Sequence, residues 1–181
     1  LGELVPGGVI SHALQIDVDG AANLYRGTVS TCYRWPATKC DAYGPTGYGG
    51  TNPALTIGAL LALPQTLDIN SLNLQTAPGR MLATTFQNYG AYIANDASSA
   101  TRERSVNNIV TEVSPSGVVL DEFQAAWGFP FETSGANGTD GWSHDIAAIF
   151  AALEIVNNNT ATSIGGGGTP LQPLALPLQG S

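Results

Sequence analysis

Three side chains in this sequence could move protons: His12 in ISHALQ, Asp41 directly after a cysteine, and Asp96 at the end of AYIAND. Two carboxylates facing each other across a cleft are the machinery of glycoside hydrolysis, with one acting as acid and the other as base or nucleophile. A histidine beside either would serve as general base. The same residues have plainer readings, His12 as a hydrogen-bonded structural histidine and the aspartates as caps of turns. Asp17-Val-Asp19-Gly20 hints at calcium, but the spacing of a calcium-binding loop and its distal glutamate are missing. There is no nucleophile elbow, phosphate-binding loop, HExxH or dinucleotide fingerprint. The run Gly165 to Gly168 lacks the Lys-Ser/Thr that would make it cradle a phosphate. No cofactor and no metal are expected.

The aromatic residues make a second constellation. Tyr33, Trp35, Tyr43 and Tyr48 crowd around Cys32 and Cys40 and the Gly/Pro-rich loop that follows. Exposed rings beside Asn, Asp and backbone amides could stack on the C–H faces of sugars. Trp35, Tyr43 and Tyr48 could equally touch another subunit, and Tyr33 and Trp35 could simply pack in the core.

The two cysteines, with seven residues between them and no CxxC or further ligand pair, read as a disulfide. A loop this short stabilises by only about 2–3 kcal/mol, so its role is local shape. A disulfide and the sequons at Asn137 (NGT) and Asn158 (NNT) point to a secreted, glycosylated protein.

Composition sets the class that must position these groups. Charged residues are 11% of the 181 and hydrophobic residues 43%, with 22 glycines and a net charge of -8. A single lysine and five arginines cannot neutralise many phosphates, so nucleic acid is not an expected partner. No apolar run reaches the roughly 18 residues that span a bilayer.

Val9 to Val18 alternates as a strand, and LYRGTVSTCYRW reads as a second one ended by Trp35-Pro36. LTIGALLAL reads as a buried strand before Pro64. Thr76 caps an expected helix with Pro78 in its first turn, Leu82, Phe86 and Tyr89 on one face, and Gly90 as its stop. AYIAND then reads as a strand, TRERSVNNIVTEV as strand or helix, and DEFQAAWG as a short helix. Ser143 would cap a last helix carrying Ile146, Ile149, Phe150 and Leu153. Residues 1–164 thus read as one domain. Residues 165–181, with Pro170, Pro173 and Pro177 among leucines, read as a docked extended tail.

The phrases GELVPGGVISHALQI, YRWPATKCD, FQNYGAYIAND and EIVNNNTATSIGGGGTPLQPLA resemble, taken together, a family of secreted microbial proteins of no established activity. The likeness runs from the start to about residue 176 and is poor from about 97 to 141. It implies secretion, and a further β-rich region upstream would make this chain a mature or C-terminal part.

The expected fold is α+β and β-rich, an antiparallel sandwich or barrel-like sheet with two or three short helices. The expected function is that of a secreted, glycosylated structural or adhesive protein that self-associates as a homo-oligomer or filament. The alternative is a polysaccharide-active enzyme or carbohydrate-binding module.

Overall fold

In the computed structural model, residues 2–97, 108–111, 118–131, 140–169 and 171 are described. They form an α+β fold on one open, mixed sheet of five strands in the order β4-β1-β3-β2-β5. The strands are β1 (Leu14–Val18), β2 (Leu60–Ala62), β3 (Ala91–Asp96), β4 (Asn108–Ile109) and β5 (Glu154–Ile155). The central pair, β1 and β3, is parallel; every other pairing is antiparallel. The sheet is therefore neither a sandwich nor a barrel. A parallel pair needs a long crossover, and the chain between β1 and β3 supplies it with α1 (Gly44–Gly47), β2 and α2 (Ala77–Asn88).

Three expected strands shrink: Val9 to Val18 keeps only Leu14–Val18 as strand, and the other two give way for local reasons. LYRGTVSTCYRW contributes only single bridges, Tyr25 to Gly50 and Tyr33 to Ile57. A tight turn at Thr28–Cys32 and the Cys32–Cys40 disulfide redirect that segment before it can form a ladder. LTIGALLAL keeps only Leu60–Ala62 as strand, because Gly58 takes a positive φ of 83° and Ala59 N–H turns back to the Thr56 carbonyl.

The helices follow the sequence more closely. Thr76 caps α2, its hydroxyl accepting the Gly79 N–H at 3.0 Å, and Leu82, Ala83 and Phe86 bury one face. Gly90, at φ 68°, ends the helix and leads directly into β3. DEFQAAWG lies in α3 (Val118–Trp127). The last helix, α4 (Gly141–Ala151), is capped by Asp140 and not by Ser143. The Asp140 carboxylate accepts the Ser143 N–H on one oxygen and the Ser143 hydroxyl on the other, each at 2.8 Å, so Ser143 is a donor to the cap. Those bonds hold its pKa below the usual aspartate range.

One buried carboxylate joins the two main helices. Asp145 of α4 is fully buried and accepts the Gln75 N–H (2.7 Å), the Thr76 N–H (2.8 Å) and the Thr76 hydroxyl (2.6 Å). These are donors that the start of α2 cannot satisfy internally. Phe86 and Phe150 meet edge to face at 6.2 Å further along the same pair of helices. A second aromatic group, Phe123, Phe129, Phe131 and Trp142, closes α3 onto α4.

Gly79 is where this junction is tightest, since a Cβ there would overlap Asp145 Oδ2. Alanine normally favours a helix over glycine by about 1 kcal/mol. Here Gly79→Ala is expected to lower the thermal midpoint. A midpoint that rises would show that α2 and α4 are not held by this contact.

Candidate functional site

β1 and β3 run in the same direction, so their carboxyl ends lie side by side. Asp17 pairs with Asn95 and Val18 with Asp96 after a register shift at Ile16/Asp17. In open sheets with parallel strands, ligands sit at such carboxyl ends. The acidic residues of IDVD and IAND, 76 or more positions apart in sequence, are brought to one edge by this pairing.

Asp96 is held in place from two sides. Its Oδ1 accepts the Gly20 N–H at 2.8 Å, and its Oδ2 accepts the Tyr43 hydroxyl at 2.9 Å. A Cβ on Gly20 would stand 2.7 Å from that carboxylate, so glycine is what lets Asp96 approach the backbone. The Gly20 carbonyl in turn accepts the Gly49 N–H, which ties the tyrosine-bearing loop to the same turn.

Asp41 arrives from the disulfide loop. Cys40 fixes its neighbour Asp41, whose Oδ2 accepts the Tyr48 hydroxyl at 2.6 Å. Tyr43 and Tyr48 flank the single turn of α1 and meet edge to face at 6.0 Å. The result is a continuous chain, Asp96 to Tyr43 to Tyr48 to Asp41. Both phenols hold their protons well above the ordinary tyrosine range. For Tyr43 lost hydration leads, then Asp96 and Asp41; for Tyr48 burial leads, then Asp41. Each tyrosine therefore stays a donor to its carboxylate at any physiological pH.

The two tyrosines differ in exposure. Tyr43 is 50% exposed, as expected of a contact residue, whereas Tyr48 is 1% exposed and belongs to the core. That corrects the surface role expected of Tyr48, whose ring packs closely on Gly44 in the turn of α1. Trp35, 36% exposed, packs edge-on against Tyr92 at 6.3 Å, near the opposite end of β3, and Tyr33 packs half-buried against the core. The aromatic constellation thus splits in two.

His12 does not join the carboxylates. It precedes β1, about six residues and roughly 20 Å of extended chain from the Asp96 end. Its Nε2 lies 3.2 Å from Glu3, on open surface and in no cleft. The bond to the Ala13 carbonyl, then Glu3, raises its pKa despite some desolvation. Asn158 is exposed and its amide donates to the Gly166 carbonyl, while the Gly165 N–H donates to Asn159 Oδ1. Asn137 and the tail beyond Leu171 lie outside the described residues. Among the described residues, no three His, Cys, Asp or Glu side chains are grouped to hold a metal ion.

Asp17 joins the site without having been expected there. The alternation of Leu14, Ile16 and Val18 marks it as the odd position of β1, but only the pairing with β3 shows what it faces. Its Oδ1 is buried and finds no hydrogen-bond donor among the described residues. Lost hydration first, and the charge of Asp96 second, raise its pKa. An acid with a raised native pKa destabilises the fold when ionised, and that penalty disappears as pH falls below the unfolded value. Asp17→Asn is therefore expected to raise the thermal midpoint near pH 7. The gain should shrink toward zero as pH approaches about 3.9. A gain that does not vary with pH would contradict the raised pKa.

No family model matches the chain, and no curated protein or solved structure matches it either.

Proposed function

We propose that this chain is an extracellular carbohydrate-binding protein whose site is the Asp41–Tyr43–Asp96 edge of the sheet. The observation that carries the reading is the convergence of Asp41 and Asp96 on Tyr43, a half-exposed ring with its hydroxyl committed to Asp96. The ring offers a flat apolar surface for the C–H face of a pyranose. The flanking carboxylates offer acceptors for the sugar hydroxyls at its rim. With Asp17 and Asp19 nearby and a net charge of -8, the edge favours neutral or cationic sugars and repels uronate or sulfated chains. The Cys32–Cys40 disulfide, the absence of a membrane-length apolar helix among the described residues and the Asn158 sequon support an extracellular setting.

Self-association as a structural or adhesive subunit is the second reading, favoured by the apolar Leu/Pro segment after Gly168. Hydrolysis is the narrower form of the first reading, favoured by the raised pKa of Asp17 beside Asp96. A carboxyl whose pKa is raised suits the role of a general acid.

Glycan-array screening of the intact chain, followed by titration of the best ligand, tests the proposal. Neutral oligosaccharides should bind. Tyr43→Ala and Asp96→Asn should each weaken binding about tenfold or more, corresponding to about 1.4 kcal/mol or more. Absence of glycan binding, or affinity unchanged in both variants, would overturn it.

A further inference from the structure

A groove lined mostly by apolar side chains opens where the end of β1 meets the end of α4. Val18, Leu55, Leu61, Phe150, Leu153 and Ile155 line it, with Asn23 as the one polar member. Its volume is about 220 Å³, against the roughly 150 Å³ that houses a benzene ring. It therefore has room for a leucine side chain and part of another. Val18 and Leu61 form its buried floor, and the other lining residues are half-buried around its mouth.

We propose that the C-terminal segment of the same chain, Leu174 to Leu178, docks in this groove. The first argument is proximity. Gly166 lies against Val156 and Asn158, and hydrogen bonds from Asn158 and to Asn159 pin the glycine run there. Val156 is the residue after Ile155, which lines the groove and belongs to the edge strand β5. The second is reach. Eight residues separate Gly166 from Leu174, which is about 25 Å of polyproline-type chain, ample to round the sheet edge.

The third argument is chemistry. Residues 169–181 carry no charge, and Leu174, Leu176 and Leu178 stand among Pro173 and Pro177. A proline-rich extended segment has few internal hydrogen bonds to break on docking, and Asn23 can donate to one of its free carbonyls. Gly165 to Gly168 all take positive φ (70°, 88°, 92° and 92°), which lets the chain change direction here. Side chains would not tolerate those angles. The groove is separate from the Tyr43 ring, so this docking stands or falls independently of sugar binding.

Engineered disulfides in the full chain test it. Leu153→Cys is combined in turn with Leu174→Cys, Leu176→Cys and Leu178→Cys, and the products are separated by size after mild oxidation at low protein concentration. An intrachain bond in at least one pairing, formed in a monomer, is the expected result. Crosslinking only between chains would overturn docking within one chain and assign the groove to a second copy. No crosslink in any pairing would overturn both. Should Leu153→Cys prevent folding, Leu55→Cys offers the same test from the opposite wall. Deleting residues 172–181 should also lower the thermal midpoint, by about 2–4 °C, and an unchanged midpoint would count against docking.

Discussion

The parallel pairing of β1 with β3 is the constraint on which the rest depends. Parallel strands bring like ends together, so two segments with aspartate at or beside their carboxyl ends deliver Asp17 and Asp96 to one edge. An antiparallel pairing would have sent those carboxylates to opposite ends of the sheet. The pairing also dictates a crossover, and the crossover carries the disulfide loop, the tyrosine turn and α2. The position of β3 in turn follows from α2, which runs into it through Gly90. The Asp145 carboxylate sets where α2 begins, because it takes up donors that would otherwise be buried without partners.

Collecting carboxylates at one edge has an electrostatic cost, and the local structure offsets it with neutral donors. The chain has six cations in all. Among the described residues, the Tyr43 and Tyr48 hydroxyls and the Gly20 amide donate to these carboxylates. The net charge of -8 disfavours anionic ligands. The disulfide contributes by position: it fixes Asp41 next to Cys40, with Tyr43 two residues further on. As expected for so short a loop, its effect is on shape at one place.

Much of the framework was legible where local signals sufficed. β1, α2 with its Thr76 cap and Gly90 stop, β3 and the body of α4 all follow from periodicity and capping chemistry. The α+β class follows from that mixture. LYRGTVSTCYRW was not legible as a loop, because its β-branched and aromatic content suits a strand and only the turn at Thr28 and the disulfide decide otherwise. Tyr43 and Tyr48 look alike in sequence, both beside glycine; only the fold packs Tyr48 on Gly44 and leaves Tyr43 half-exposed. Asp41 and Asp96 stood out individually as strand-edge aspartates. Their meeting, the separation of His12 from them and the part played by Asp17 depend on pairings between distant segments, which no local pattern encodes.

The central claim is that one exposed phenol and two carboxylates form a single ligand site at the carboxyl ends of β1 and β3. A crystal structure with a bound neutral oligosaccharide tests it most directly. It should show a pyranose ring stacked on Tyr43, with hydroxyls within hydrogen-bonding distance of Asp41 and Asp96. A sugar bound elsewhere, with Tyr43 and both carboxylates untouched, would contradict the account.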